Sequence, residues 1–302
     1  MTGVSPTATP APRMPAAFIG HGSPMNALEH NHYTDAWRAF AAAIPRPAAI
    51  LAVSAHWYIT GTAVTAMARP RTIHDFYGFP DALFAVEYAA PGSADLADEV
   101  VRVVDPVWVG LDGDQWGIDH GTWSVLCHMY PDADVPVVQL SIDATKPFDY
   151  HLDLGRRLAP LRDQGVLILG SGNIVHNLPR MDGSRPHTGF DWAQRFDRDA
   201  RAILTEEPGS ILDLRGHADF TMAVPTPEHF LPSVFVAGLA AASGETLDVL
   251  VDGCAYGSLS MAAYGLGAGP PTAPAEDGAA EAGAAEAGSL PDATVPLANA
   301  NF

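Results

Sequence analysis

Short, nearly unbroken apolar runs constrain the fold of this chain more than any other feature of its sequence. Residues 48–55 and 166–171 are almost entirely aliphatic or small, which is typical of strands buried on both faces of a parallel sheet. Helical periodicity separates these runs, so we expect an α/β fold, with one domain in which helices flank a central mixed or largely parallel sheet. The predicted strands are residues 16–20, 48–55, 62–67, 135–141, 166–171 and 246–251, and the predicted helices are residues 33–43, 93–104, 121–129, 149–162, 190–204, 228–242 and 257–263.

Composition divides the chain into three parts. Residues 1–13 are rich in Thr, Pro and Ala, which indicates a disordered leader, and the folded domain is predicted to span residues 14–265. Residues 266–302 form an Ala/Gly/Pro-rich tail with five acids and no bases. Because this acidic tail has almost no large apolar side chains, it cannot offset the entropy of ordering and is predicted to be disordered.

Charge and cysteine content exclude several classes of partner and site. The formal net charge of −19 and the single lysine, Lys146, argue against nucleic acid and anionic membranes as partners. No apolar run is long enough to predict a membrane span, and the N-terminus has no features of a secretory signal. Cys127 and Cys254 form no Cys-x-x-Cys pair, which favours a cytoplasmic location and argues against a disulfide scaffold or a thiolate zinc site.

Histidines follow three of the predicted core strands. His21 lies in Gly20-His21-Gly22 after the first strand, His56 follows residues 48–55, and His176 follows residues 166–171 through a Ser-Gly-Asn turn. One such histidine is more often a hydrogen-bonded structural residue than a ligand. The C-terminal ends of parallel strands share one edge of a sheet, however, so three imidazoles are expected to converge there. Converging imidazoles hold divalent transition metals, and the pattern predicts a metal site while leaving the reaction open.

Two further histidines occur in motifs that suggest a function. His120 lies in Ile118-Asp119-His120-Gly121, between an aromatic-rich loop and a predicted helix, and His229 follows Glu228 where the helix 228–242 is expected to begin. The remaining histidines are predicted to be structural or solvent-facing, apart from His74, which stays ambiguous: His30, His32, His128, His151, His187 and His217.

Six motifs, in this order along the chain, resemble the class III extradiol ring-cleaving dioxygenases. The resemblance extends over residues 14–261 and is strongest to the DOPA 4,5-dioxygenase-like branch found in bacteria and plants. It implies that residues 14–265 are a catalytic domain. The motifs are Gly-His-Gly-Ser-Pro-Met, Ser-Ala-His-Trp, Thr-Ile-His-Asp-Phe, Gly-Ile-Asp-His-Gly, Gly-Asn-Ile-Val-His-Asn-Leu and Pro-Thr-Pro-Glu-His.

The resemblance implies a non-haem Fe(II) site that binds a catechol through both hydroxyl oxygens and then O2. Ring cleavage beside the hydroxyls would give a muconic semialdehyde. His21 and His56 match the two imidazole ligands of the family, and His229 matches the third ligand position of this branch. His176 matches the acid–base histidine, which in resting structures can itself reach the metal. His120 matches a further pocket histidine that would steady the bound oxygen.

The adjacent Glu228 and His229 depart from the two-histidine, one-glutamate pattern of the wider family. Neighbouring residues of a helix point about 100° apart, so both are not expected to bind one ion. We expect His229 to be the ligand and Glu228 either to cap the helix or to support the ligand. A set of neutral imidazoles accepts Zn(II) as well as Fe(II), because the affinity order favours zinc.

Two other functions remain open from the sequence. One is a zinc-dependent hydrolase that uses the same histidines, and the other is a non-enzymatic interaction protein that retains the pocket. Oligomeric state and natural substrate are also left open. The aromatic side chains expected to line the pocket are Trp57, Phe76, Tyr77 and Trp123.

Overall fold

The computed structural model describes residues 13–269. The predicted leader, apart from residue 13, and the predicted tail from residue 270 onward lie outside the described residues. The strands are β1 Ala16–Gly20, β2 Ala49–Ile59, β3 Ala63–Thr65, β4 Arg71–Thr72, β5 Gly110–Asp112, β6 Gly117–Ile118, β7 Val137–Asp143, β8 Val166–Gly172, β9 Leu247–Val251, β10 Cys254–Ala255, β11 Leu259–Ser260 and β12 Ala263–Leu266. The α-helices are α1 His32–Ala43, α2 Asp81–Phe84, α3 Ala94–Val104, α4 His120–Met129, α5 Phe148–Leu158, α6 Asp191–Glu206, α7 Phe220–Ala223 and α8 Leu231–Ser243, and short 3-10 helices cover Pro24–Ala27, Ala159–Gln164, Leu178–Arg180 and Pro208–Gly216.

Eight strands form one mixed sheet in the order β5-β3-β7-β2-β8-β1-β12-β9. The central strands β7, β2, β8 and β1 are mutually parallel, whereas β12 is antiparallel to both of its neighbours and β3 is antiparallel to β7. The expected α/β fold with a mixed sheet is therefore confirmed. Because the four central strands are parallel, their C-terminal ends lie along one edge.

Helices cover both faces of the sheet, which explains why the central strands are apolar throughout. Alternate residues of β1 show this, since Phe18 packs with the core beneath α3, α5 and α8, while Ile19 packs with the core beneath α1 and α4. Both side chains are almost fully buried. Among the helices of residues 13–269, none has the length and apolar character that crossing a membrane requires.

The C-terminal part of the fold differs from the sequence prediction. The predicted helix 257–263 is wrong, because β10 and β11 form an antiparallel pair there and β12 follows. Tyr256 and Gly257, with φ angles of 51° and 77°, make a left-handed turn that a helix cannot contain. The last strand ends at Leu266, which pairs with Ala16 and Leu247 and so lies one residue beyond the predicted limit of the folded domain.

Two other helices begin or end at residues that differ from the prediction. The predicted helix 149–162 ends as an α-helix at Leu158 and continues as a 3-10 helix that contains Pro160. The predicted helix 228–242 begins only at Leu231. Glu228 and His229 therefore lie in the segment before α8, and the argument from helical side-chain directions does not apply to them.

Candidate metal centre

Five histidines from five parts of the chain meet at the C-terminal edge of the central strands. Backbone hydrogen bonds fix this edge, since the His21 N–H donates to the Gly172 carbonyl (3.1 Å) and the Asn173 N–H donates to the His229 carbonyl (2.8 Å). The histidines are His21 directly after β1, His56 within β2, His120 at the start of α4, His176 after β8 and His229 before α8.

The imidazoles lie within a few ångströms of one another. The Nε2 atoms of His21 and His56 are 3.2 Å apart. The ring centroid of His229 is 5.5 Å from that of His21 and 5.2 Å from that of His56. Of the three strand-end histidines predicted to converge, His21 and His56 share one group, in which one potential ligand atom from each of His21, His56 and His120 lies within 4.8 Å of the others. A second group with the same spacing consists of His176, Glu228 and His229.

The proton positions of His21 follow from its hydrogen bonds. The Ser171 hydroxyl donates to the Gly121 carbonyl, so its oxygen accepts from Nδ1 of His21, 3.0 Å away. Nδ1 is therefore the protonated nitrogen, and Nε2 retains its lone pair. His21 is only 1 % exposed.

His56 and His120 both contact the carboxylate of Asp75. Nδ1 of His120 lies 2.8 Å from Oδ1, and Nδ1 of His56 lies 3.1 Å from Oδ2. Burial raises the pKa of Asp75, but the two imidazoles outweigh this effect and hold that pKa well below its usual range. The same carboxylate raises the pKa of His56 against the lowering effect of burial. Nε2 of His120 is buried and has no hydrogen-bond partner among the described residues.

His229 is held in the same manner by its neighbour Glu228. Nδ1 of His229 lies 3.2 Å from Oε1 of Glu228, which also accepts a hydrogen bond from the Thr226 hydroxyl. Nε2 of His229 is buried without a partner in the described part of the chain. No side chain caps α8, so of the two roles considered for Glu228 the structure matches support of His229. Burial raises the pKa of Glu228, but His229 and Thr226 lower it to about 2.

His176 is positioned by stacking on His229. The two rings are 3.5 Å apart between centroids and nearly parallel, and the His176 N–H donates to the Ala223 carbonyl. The His176 residue is half-buried. This places it beside the imidazole group.

The electrostatics favour neutral imidazoles at four of the five histidines, whereas Asp75 raises the pKa of His56. Burial and the neighbouring imidazoles lower the pKa values of His21 and His176 well below 6.5. Burial lowers the pKa of His229 to about 4, although Glu228 opposes this. Neutral imidazole is the form that coordinates a metal.

A divalent metal fits these donors. Nδ1 of His21 donates to the Ser171 hydroxyl oxygen, and Nδ1 of His56 lies 3.1 Å from Oδ2 of Asp75, so with both rings neutral and protonated at Nδ1 their Nε2 lone pairs face each other at 3.2 Å. Two lone pairs at this separation repel, whereas two nitrogens bound to one ion at about 2.0–2.1 Å lie roughly 3–3.4 Å apart. The anchoring of each Nδ1 by an oxygen is the usual arrangement around metal-binding histidines.

The four aromatic residues that were expected to line the pocket lie in different environments. Phe76 is buried and its ring lies edge-on to His120, with 5.4 Å between centroids. Trp57 stacks on Trp116, and the Trp123 indole donates to the Ile73 carbonyl, so both contribute to packing. Tyr77 is exposed. Phe76 thus contacts a site histidine directly.

The other histidines take structural or surface positions. His74 donates from Nε2 to the Val86 carbonyl, and His128 donates to the Asn26 carbonyl, so both have structural roles. His151 is fully buried, and His217 contacts Asp199. As expected, the exposed histidines are His30, His32 and His187.

Comparison with known proteins agrees with the site. Residues 15–267 match the family described as the catalytic LigB subunit of aromatic ring-opening dioxygenase. The chain is 48% identical to a 4,5-DOPA dioxygenase extradiol of Escherichia coli (strain K12), over 84% of this chain and 95% of that protein. It is 35% identical to a protein of the same name from Beta vulgaris, over 82% of this chain and 94% of that protein.

A solved structure supports the same assignment. The crystal structure of an uncharacterized protein from Escherichia coli K12 superposes with a TM-score of 0.74 at 44% identity and covers 84% of this chain and 99% of that one. The resemblance inferred from the six motifs is thereby confirmed. The chain belongs to the LigB family of aromatic ring-opening dioxygenases and is a class III extradiol dioxygenase.

Proposed function

We propose that this enzyme uses Fe(II) and O2 to open the ring of a catechol that carries a DOPA-like or related acidic side chain, giving a muconic semialdehyde. The observation that carries the proposal is the 3.2 Å separation of two Nε2 atoms whose Nδ1 atoms are both anchored on oxygen. The names of the relatives from Escherichia coli and Beta vulgaris support DOPA as the substrate type. The proposed location is the cytoplasm, because both cysteines, Cys127 and Cys254, are free.

The proposed ligands are His21, His56 and His229, with His176 at the margin of the site. His229 is preferred to Glu228 because the Glu228 carboxylate is already engaged by Nδ1 of His229 and by the Thr226 hydroxyl. A divalent iron bound here would supply Lewis acidity toward the catechol oxygens and electrons for O2. Zn(II) would suit the same neutral donors, and a purified sample that carries zinc would be inactive as an oxygenase.

The residues of the chain provide the acid–base chemistry. His176 is neutral at pH 7 because burial and His229 lower its pKa, so a ring nitrogen can accept the second hydroxyl proton of the catechol. His120 is proposed to steady the bound oxygen through its unpartnered Nε2, which can donate a hydrogen bond once it has taken up a proton. Phe76 lies beside His120 and shields this part of the site from water.

Oxygen uptake tests the proposal directly. Protein reconstituted with Fe(II) under anaerobic conditions, then given DOPA or caffeic acid and air, should form a yellow product and consume one O2 per ring opened. The zinc-loaded protein serves as the matched control and should consume none. Lack of O2 uptake across a panel of catechols would refute the proposal, and turnover of simple esters by the zinc form would favour a hydrolase instead.

A further inference from the structure

We propose that Asp75 is a positioning residue that fixes the orientation and the proton position of His56 and His120 together. The inference rests on the proposed metal site, because it assigns His56 as a ligand. Asp75 was not among the candidate residues from the sequence, although its neighbour His74 was considered. Asp75 lies in the segment that follows the two-residue strand β4, and the pairing of β4 with β6 holds this segment beside the site.

The pairing of β4 with β6 brings Asp75 to His120. These strands are parallel, with Thr72 opposite Ile118, and the Ile73 N–H extends the pairing by donating to the Ile118 carbonyl (2.8 Å). Asp75 and His120 therefore leave the same end of this small sheet, three and two residues after the last pair. A side chain at Gly117 would place Cβ 2.2 Å from the Arg71 carbonyl oxygen, so the close pairing depends on glycine there.

The carboxylate of Asp75 makes three short contacts with the two histidines. Oδ1 accepts from both Nδ1 (2.8 Å) and the backbone N–H (3.1 Å) of His120, and Oδ2 lies 3.1 Å from Nδ1 of His56. The side chain of Asp75 is 13% exposed, while those of His56 and His120 are 2% and 0% exposed. Phe76 covers the group and packs against Phe84, which keeps the contacts away from water and strengthens them.

Nδ1 of His120 donates a hydrogen bond to Oδ1, whereas Nδ1 of His56 lies 3.1 Å from Oδ2 without the alignment of a hydrogen bond. Because a carboxylate presents only lone pairs, both contacts favour a proton on Nδ1, and in each neutral ring Nε2 then presents its lone pair. For His56 this is the state required of a ligand. For neutral His120 it means that Nε2 acts as an acceptor toward a bound molecule rather than as a donor. One side chain thus orients histidines that belong to a strand and to a helix.

An asparagine at position 75 cannot replace this arrangement. Its amide has one acceptor oxygen and one donor group, so at most one Nδ1–H finds an acceptor, and the other ring must change its tautomer or turn away. Loss of an anchoring partner typically lowers metal affinity by 10- to 100-fold. We therefore expect Asp75→Asn to bind zinc about 10- to 100-fold more weakly, as measured by competition with a chromophoric chelator.

Asp112→Asn is the matched control. Asp112 is also a buried carboxylate, and it accepts from the backbone N–H groups of Asp114, Gln115 and Trp116, but it contacts no imidazole. This variant should lose stability without a change in zinc affinity. Equal zinc affinity in Asp75→Asn and the wild type, or equal losses in Asp75→Asn and Asp112→Asn, would overturn the proposal.

Tautomers of the wild-type protein provide a test that does not depend on the folding of a variant. Long-range ¹H–¹⁵N spectra of ¹⁵N-histidine-labelled, zinc-loaded protein should show protonated Nδ1 at His56 and at His120. An unprotonated Nδ1 on either ring would refute the role of Asp75. If the wild type fails to bind zinc, the metal site itself is refuted, while the presence or absence of a proton on Nδ1 in the metal-free protein still decides the role of Asp75.

Discussion

Replacement of Gly121 by alanine should weaken metal binding without any change to a ligand. Gly121 is the second residue of α4, and a Cβ there would lie 2.7 Å from Cδ2 of His56 and 2.7 Å from Oγ of Ser54. The backbone cannot easily withdraw, because the Gly121 carbonyl accepts the hydrogen bond from Ser171, which in turn anchors Nδ1 of His21. The added methyl group therefore presses on His56 and, through the backbone, on His21.

The size of the effect follows from these distances. Carbon atoms in contact are normally about 3.5–4.0 Å apart, so the His56 ring must move by roughly 1 Å. Metal–ligand distances tolerate only about 0.2 Å, and a displaced ligand lowers affinity by at least about tenfold. Overpacking by itself costs about 1–3 kcal/mol of folding free energy, which lowers the melting temperature by about 2–4 °C per kcal/mol in a domain of this size.

Chelator competition and thermal unfolding separate the two effects. Gly189→Ala is the matched control, because its Cβ would lie 2.9 Å from Cβ of Cys254 and 3.0 Å from Cγ of Gln194, with no histidine among its nearest atoms. Both variants should melt at lower temperature, but only Gly121→Ala should lose zinc affinity. A folded Gly121→Ala protein whose affinity lies within twofold of the wild type would refute the reasoning.

Three further substitutions test the roles of individual residues. His176→Gln should lower kcat by about 10²- to 10⁴-fold while anaerobic catechol binding, followed by absorbance, stays within a few-fold; equal losses would make His176 a ligand. Glu228→Gln should retain metal at about tenfold lower affinity in elemental analysis and chelator titration, whereas complete loss of metal would identify Glu228 as a ligand. Burial lowers the pKa of His151 to about 4, so the unfolded chain binds more protons between pH 4 and 6.5 and stability falls as pH falls through that range. From pH 7 to pH 5 the wild type should lose on the order of 2 kcal/mol more than His151→Phe in urea unfolding, and parallel pH profiles would contradict this.

The sequence predicted those parts of the fold that depend on two-sided burial. Strands β2 and β8 lie between neighbours on both sides and between helices on both faces, so their residues must be apolar and the runs are visible. The approach of His21 to His56 followed from the parallel direction of β1 and β2, whereas His176, after β8, lies in the second group with Glu228 and His229. Resemblance to a family was needed to add His229, because no strand end places it at the site.

The contacts that orient the imidazoles could not be predicted. Asp75 reaches His120 through strands of two residues, which are too short for any periodicity to show. Ser171 anchors His21 across 150 positions of sequence. The helix prediction for residues 257–263 was wrong for a related reason, because a short apolar run fits a strand as well as a helix. The left-handed turn at Tyr256 decides between the two.

The balance of charge at the site leads to a final prediction about metal removal. Asp75 and Glu228 are held ionised by the histidines they contact, and the imidazoles of His21 and His229 are neutral at pH 7. A divalent cation offsets the negative charge of Asp75 and Glu228, so removal of the metal takes away a favourable interaction with both carboxylates. Zinc at 1,000 times its Kd should stabilise the protein by about 4 kcal/mol, or roughly 10 °C in melting temperature, and the gain should be smaller in Glu228→Gln. Identical melting temperatures with and without saturating zinc would show that these carboxylates do not form part of a metal centre.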